Sequence, residues 1–356
     1  MGSSVSNSTG VVVCGLGAST SVGRGAWTSA AAVRAGITGF AEHAFMVDDV
    51  GRPMHVAACP WLTEEPDPVA RMIHCVQSAI EEAAGSDEGG LPARTRLIVA
   101  LPATRPGLDD ALGKRVEAAL VSTFASRVVD PRTVRMGHAG GLLAFEAALA
   151  VLTADPRACV IVAGTDSWLD PDTLEWLEST GQLHGAGERN NAWGLVPGEG
   201  AGAVLVARRV EAEMRGWPAL AQVGAVGSAT ERHLIRTGEV CVGTGLSEAF
   251  RGALRALPPE LRISDVYCDM NGEPYRADEY GFTVTRTRER FEAASEFVAP
   301  ADCWGDVGAA SGPLLAVLAV VAHAKRYSRG AASLLWASSD SGERAAALLL
   351  AEPSSA

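Results

Sequence analysis

The stretch Leu195–Arg208 reads LVPGEGAGAVLVAR. A proline and alternating glycines pass directly into an apolar run, Ala201–Val206. Glycine and proline punctuate a chain at turns, so a short apolar run behind them reads as a buried strand. The pattern recurs near the other end. AGTDS, at residues 163–167, leads eventually to the strand that ends near residue 207, and ASSDSGERAAALLLA closes at residue 351. Each reads as the last two antiparallel strands of one half, and the echo predicts an internal duplication of about 150–200 residues, a normal domain size.

Working outward, strands and helices alternate. Val11–Cys14 is a strand stopped by GLGAST, and helical periodicity marks Ala26–Ala35 and Val69–Ala84. A strand at Leu97–Leu101 ends in the breaker-rich PATRPG. Helices at Val116–Ser126 and Gly141–Leu152 and a buried strand at Cys159–Gly164 follow. An excursion carrying Trp168, Trp176 and Trp193 separates that strand from Ala201–Val206. Leu174 and Leu177 flank Trp176 at helical spacing, which reads as core. In the second half, Leu220–Gly224, Val266–Cys268 and Ser333–Trp336 are strand-like, with helices at Ser247–Ala256, Tyr280–Ala293 and Pro313–Lys325. Such alternation predicts a layered α/β fold. The expected division is a disordered tail (1–10), an N-terminal half (11–207), a seam at Arg208–Pro218 and a C-terminal half (219–352).

Composition excludes several classes. Apolar residues make up 47% of the 356 and charged ones 20%, which excludes a disordered or fibrous chain. A formal charge of -12 without a Lys/Arg cluster disfavours nucleic acid and anionic membrane as partners. Seven widely spaced cysteines suggest neither a disulfide framework nor a zinc site, and their place inside apolar runs suits a cytoplasmic protein. The longest apolar helix read from the sequence, Pro313–Ala324, is too short to span a bilayer, and no signal peptide is expected.

With that layout, VVVCGLGASTSVG and LVPGEGAGAVLVAR resemble the opening strand and the PGEGA strand of the β-ketoacyl synthases in the thiolase superfamily. The resemblance runs from about Val11 to Leu350. It implies a thiolase-like fold, a five-layered αβαβα arrangement of two duplicated halves, and a homodimer. VAGTDSWLDPDTLEWL, CDMNGEPYRADEYGF and CWGDVGAASG are similar to a shorter bacterial thiolase-like group found near secretion-effector loci, which would imply partner handling.

A condensing enzyme of this family holds its acyl chain on a cysteine at a helix N-terminus and uses two histidines on the enolate. The resemblance puts those three positions on His138, Asn271 and Asp306. Imidazole cannot hold a long-lived thioester, and an aspartate repels a developing enolate. The glycine-rich motif near the C-terminus is replaced by Ser339-Asp340-Ser341-Gly342. The expectation is therefore a non-condensing, ketosynthase-like pseudoenzyme that binds a partner, either an acyl carrier protein or a secretion effector. Two rivals are an acyltransferase or hydrolase using His138 with Asp306 or Glu273, and a chain-length-factor-type partner of an active ketosynthase.

Asp269, Asn271, Glu273, Arg276 and Glu279 form a polar patch behind a buried strand. It reads first as a hydrogen-bonded plug in which Arg276 pairs with Glu273 or Glu279. His138, Asp269, Glu273 and Asp306 are suitable metal-ligand types, yet no short-range motif supports a site. No metal and no cofactor is expected. Cys268 and Cys303 are the outside candidates for a relocated nucleophile, and neither has a histidine nearby in sequence to activate it.

Overall fold

β1 (Val11–Thr20) sets the plan of the molecule. Side chains alternate along a strand, and here Val11 and Val13 enter one core while Val12 and Cys14 enter another on the opposite face. The computed structural model describes residues 10–85, 92, 94–125, 127–188, 190–235 and 237–352. The expected tail therefore lies, apart from residue 10, outside the described residues, as does Ser126 at the end of an expected helix.

After β2 (Gly23–Arg24) come α1 (Ala26–Arg34) and the hairpin of β3 (Ala41–Val47) and β4 (Pro53–Val56). α2 (Pro68–Ala84) starts at Asp67, whose carboxylate accepts from the Val69 amide, with Pro68 in the first turn. β5 (Thr95–Leu101), α3 (Leu112–Phe124), β6 (Val128–Arg135), α4 (Gly140–Ala154) and β7 (Cys159–Ser167) follow. α5 (Pro171–Ser179) precedes β8 (Glu199–Arg208), the strand of the PGEGA motif. The expected seam folds as a short helix, α6 (Arg209–Arg215), ended by a left-handed Gly216. The rest is β9 (Ala221–Thr230), α7 (Thr244–Leu254), β10 (Asp265–Cys268), α8 (Pro274–Thr287), α9 (Ala301–Trp304), α10 (Ser311–Ala324), β11 (Ala332–Ser338) and β12 (Glu343–Ala351).

The strands run in the order β10-β11-β12-β9-β1-β8-β7-β5-β6. In each half a parallel pair, β5 with β7 or β10 with β11, meets an antiparallel partner, β8 or β12. That partner then pairs antiparallel with the half's opening strand, β1 or β9. The halves join where β1 and β9 pair over Val11–Val13. α4 packs on β5 and β7 of one half and on β9 and β12 of the other, and α10 likewise bridges β8 and β11. α2 and α3 cover the outer face of the first half, α7 and α8 that of the second. The layers are five.

A helix between two sheet faces has no wet side, so it must be apolar all round. Leu314–Ala322 of α10 is buried without a break. The stretch Gly137–Ala154 is long and apolar enough to cross a membrane, longer than the helix the sequence reading singled out. Here it is a core helix. Close approach in these layers needs glycine. A Cβ on Gly17 would lie 1.9 Å from the Ala79 carbonyl oxygen of α2, which accounts for the GLG motif beside that helix.

Two sequence expectations need correction. The strand expected to stop at Cys14 continues through GLGAST to Thr20, bulging between Val13 and Gly15 as it pairs with β8. The helix expected at Tyr280–Ala293 begins at Pro274, because Pro274 sits in the first turn behind an extended Glu273. The cysteines, far apart in sequence, are all free thiols, and folding brings those of Cys59 and Cys75 to 3.8 Å in the first-half core. Sequence spacing cannot show a contact between a loop and a helix.

The 3₁₀ turn Gly308–Ala310 presses on β7: a Cβ on Gly164 would lie 2.4 Å from the Ala309 carbonyl oxygen. Ala309 and Ala310 are fully buried. Replacing either by Leu should cost about 1–3 kcal/mol by overpacking, read from a denaturant melt. A wild-type midpoint would mean that the turn has room to spare.

Candidate functional site

Two 3₁₀ turns, Gly137–Ala139 and Gly308–Ala310, feed α4 and α10. They bring together what the sequence keeps apart. His138 lies in the first turn, Asp306 just before the second, and Asn271 in the loop after β10. His138 Nε2 lies 2.8 and 2.9 Å from the two Asp306 carboxylate oxygens, and Asn271 Nδ2 donates to Oδ2 at 2.6 Å. The Gly308 amide donates to Oδ1 at 2.8 Å. All three side chains are buried.

Burial alone would hold the His138 pKa down, and Arg276, whose Nη2 is 3.4 Å from the imidazole, opposes protonation too. The Asp306 carboxylate outweighs both and raises it above the usual imidazole value. Burial pushes the Asp306 carboxyl up, but the histidine and Arg276 more than reverse this and hold it well below the usual carboxylate range. The pair is thus a buried histidine–carboxylate clamp that favours a proton on the ring.

The polar patch surrounds this clamp. Arg276 donates to Asp269 at 2.7 Å and to the Ser338 carbonyl at 2.6 Å, with Glu273 at 3.6 Å and Asp340 at 3.5 Å. Asn271 and Gln182 donate to Glu273. Burial raises the Asp269 and Glu273 carboxyl pKa values despite the nearby guanidinium. Of the expected pairings, Arg276 with Glu273 is present at longer range. Glu279 instead faces Arg344, a second buried cation that the sequence reading missed. Arg276 and Glu279 are neighbours at i,i+3 spacing on α8, yet tertiary contacts give Arg276 to Asp269 and Glu279 to Arg344.

A cavity of about 250 Å³ opens onto His138, lined also by Arg105, Trp168, Trp176, Ser339 and Asp340. Among the described residues His138 Nδ1 makes no hydrogen bond. Arg105 pairs with Asp166 at 2.6 Å and lies 3.7 Å above the Trp168 ring. Asp166 also caps the α10 turn, accepting from the Ala309 amide at 2.9 Å. Sequence reading singled out neither Arg105 nor Asp166. An acid at the end of the buried strand AGTDS was the available signal for Asp166, and nothing marks Arg105 within PATRPG. Trp168 is the most buried of the three excursion tryptophans, Trp176 is half-buried on the cavity wall, and Trp193 is exposed.

Neither outside thiol is near the imidazole by hydrogen bond. Cys268 contacts the Val298 carbonyl and Cys303 the Val33 carbonyl, and burial raises both thiols. Among the described residues, the groupings with metal-like geometry are Glu231, Cys241 and Glu279, and Asp48, Asp49 and Glu178. Neither is the set drawn from the sequence, whose Asp306 oxygens are already taken by His138, Asn271 and Gly308.

No family model and no curated protein matches the sequence. Solved structures match the fold along nearly the whole chain. A type II polyketide synthase acyl-carrier protein in complex with its ketosynthase superposes with a TM-score of 0.77 at 15% identity, covering 96% of this chain and 99% of that one. The ishigamide ketosynthase/chain length factor gives 0.72 at 21%, with the same coverage. A β-ketoacyl synthase from Burkholderia phymatum STM815 gives 0.72 at 15%, again with 96% and 99% covered. The chain therefore has the thiolase-like fold of these ketosynthases.

Arg276 is 1% exposed, so Arg276→Ala strands several buried carboxylates. A denaturant melt should show a loss of about 3–5 kcal/mol. A change within about 1 kcal/mol would mean the patch behaves as a solvated surface.

The clamp also has a pH signature. A folded-state pKa raised above the unfolded one means that the bound proton contributes stability in full below the unfolded value, about 6.5. That contribution is lost as pH rises through the folded pKa. The Tm gap between wild type and His138→Gln should therefore narrow as pH rises above about 6.5. A gap that stays constant would rule out the protonated clamp.

Proposed function

We propose that this protein is a non-condensing member of the ketosynthase fold, a pseudoenzyme that works by binding. The observation that carries the reading is the side chain at the N-terminal turn of α4. It is an imidazole held by Asp306, which Asn271 holds in turn, where a condensing enzyme keeps a free thiolate. An acyl imidazole hydrolyses readily, and the carboxylate of Asp306 would repel enolate charge. The partner in this reading is an acyl carrier protein or a second ketosynthase-like chain, the latter as in a chain length factor. The likeness in fold to a ketosynthase/chain length factor supports such pairing. A secretion effector is the other partner class. The setting is a bacterial cytoplasm, and the chain self-associates as a dimer when no such partner is present.

One observation favours a second reading. The His138 ring faces a cavity of about 250 Å³ with Nδ1 unbonded among the described residues, the arrangement a general base requires. An acyltransferase or hydrolase would use that nitrogen, with Asp306 orienting the ring.

Incubation with acyl-CoA or an acylated carrier protein, followed by intact mass measurement, separates these. The binding role predicts no covalent adduct and no thioester cleavage above the rate of a His138→Gln control. A stoichiometric adduct on His138, Cys268 or Cys303 would overturn it. Cleavage that depends on His138 would establish the second reading.

A further inference from the structure

A second cavity, about 570 Å³, is more than twice as large as the one at His138 and shares no lining residue with it. Its walls are α1, the middle of α10, β10 and the segment 295–298. That segment is fastened to the edge of β10 by hydrogen bonds from the Val298 amide to the Val266 carbonyl (2.8 Å) and from the Cys268 amide to the Val298 carbonyl (3.0 Å). The space is therefore bounded by regular structure on its main sides. Its volume lies within the range of small-molecule sites, about 300–1,000 Å³.

Three polar features stand out against the apolar side chains of Val33, Leu318 and Phe297. Arg329 is committed, with its guanidinium on Asp265 at 3.4 Å and on the solvent-exposed Glu296. Arg34 makes no ion pair among the described residues. It stands at the rim with its guanidinium 4.2 Å from the centre of the Tyr327 ring. Tyr267 is 5% exposed, and its hydroxyl makes no hydrogen bond among the described residues. The hydroxyl is not sealed from solvent, so it is free to donate into the cavity. Burial and the Asp265 charge raise its pKa, which keeps it a neutral donor.

We infer that this cavity is a binding site for a small aromatic carboxylic acid with a hydrogen-bond acceptor at its far end. The carboxylate meets Arg34 at the mouth, the ring lies among Phe297, Tyr267 and Tyr327, and the distal acceptor takes the Tyr267 proton. The site stands independently of any role at His138.

Titration calorimetry of the full chain with para-hydroxyphenylpropionate tests this. One saturable site per chain is expected. Arg34→Gln should weaken binding about tenfold, as loss of a charge-assisted hydrogen bond does. Tyr267→Phe should weaken it about three- to tenfold while leaving the affinity for phenylpropionate, which lacks the distal hydroxyl, unchanged. Arg34 is exposed, so its variant should melt with wild type, and it decides the matter if Tyr267→Phe proves unstable. No saturable binding to wild type, or equal binding by Arg34→Gln, would overturn the proposal. So would equally tight binding of the corresponding neutral alcohol.

Discussion

The contact on which the structure most depends is backbone against backbone, where Gly141 of α4 meets Gly312 of α10. A Cβ on Gly141 would lie 2.9 Å from the Gly312 Cα and 2.5 Å from the Pro313 ring, and one on Gly312 would lie 2.6 Å from the Gly141 carbonyl carbon. Neither residue can carry a side chain without forcing the two helices apart. Because each helix belongs to a different half, this contact brings their N-terminal turns together. His138 and Asp306 lie a few residues upstream, and their hydrogen bond follows from that packing.

Around this junction the protein buries unusually many charges. Arg276 and Arg344 are each 1% exposed, and Asp269, Glu273, Glu279 and Asp306 are buried beside them. Removing a charge from water costs several kcal/mol, recovered only when partners surround it. The partners come from all around: Ser338 from β11, Gln182 from the segment after α5, Asn271 from the loop after β10, and the Gly308 amide from the turn before α10. A site so densely bonded is rigid, although Asp269 Oδ1 and Arg276 Nε have no hydrogen-bond partner among the described residues. That suits a surface or cavity whose shape must persist better than a nucleophile that must be free to attack.

The seven cysteines bear on the same point. Six are buried, Cys241 is half-buried, and the thiols of Cys14 and Cys241 are pushed up to about 12 and about 11, first of all by burial. They behave as small apolar residues that fill the cores. The closeness of Cys59 to Cys75 belongs to the same packing, beside the Glu199–Arg71 pair that ties the PGEGA strand to α2.

Much of the fold was legible in the sequence. Periodicity marked β1, β5, β7, β8, α2, α4 and α10, because a strand or helix buried on both faces must be apolar along its length. The repeated closing pattern, AGTDS to β8 and ASSDS to β12, marked two halves of like plan, since an antiparallel closing pair needs the same breakers each time. The three site positions were named through a family resemblance, and the folded chain brings them within hydrogen-bonding distance. What the sequence could not specify was the pairing of charges. It offered Glu273 or Glu279 to Arg276, whereas tertiary packing leaves Glu273 near Arg276 and gives Glu279 to Arg344, and it singled out neither Arg105 nor Asp166. It also carried no sign of the cavity between α1 and β10. The physical reason is common to all of these. Local propensity and apolar period act over a few residues and survive translation into one dimension. Charge pairing, cavities and the free face of His138 arise between segments 60 to 170 residues apart, where only the close packing of helices against sheets decides which groups meet.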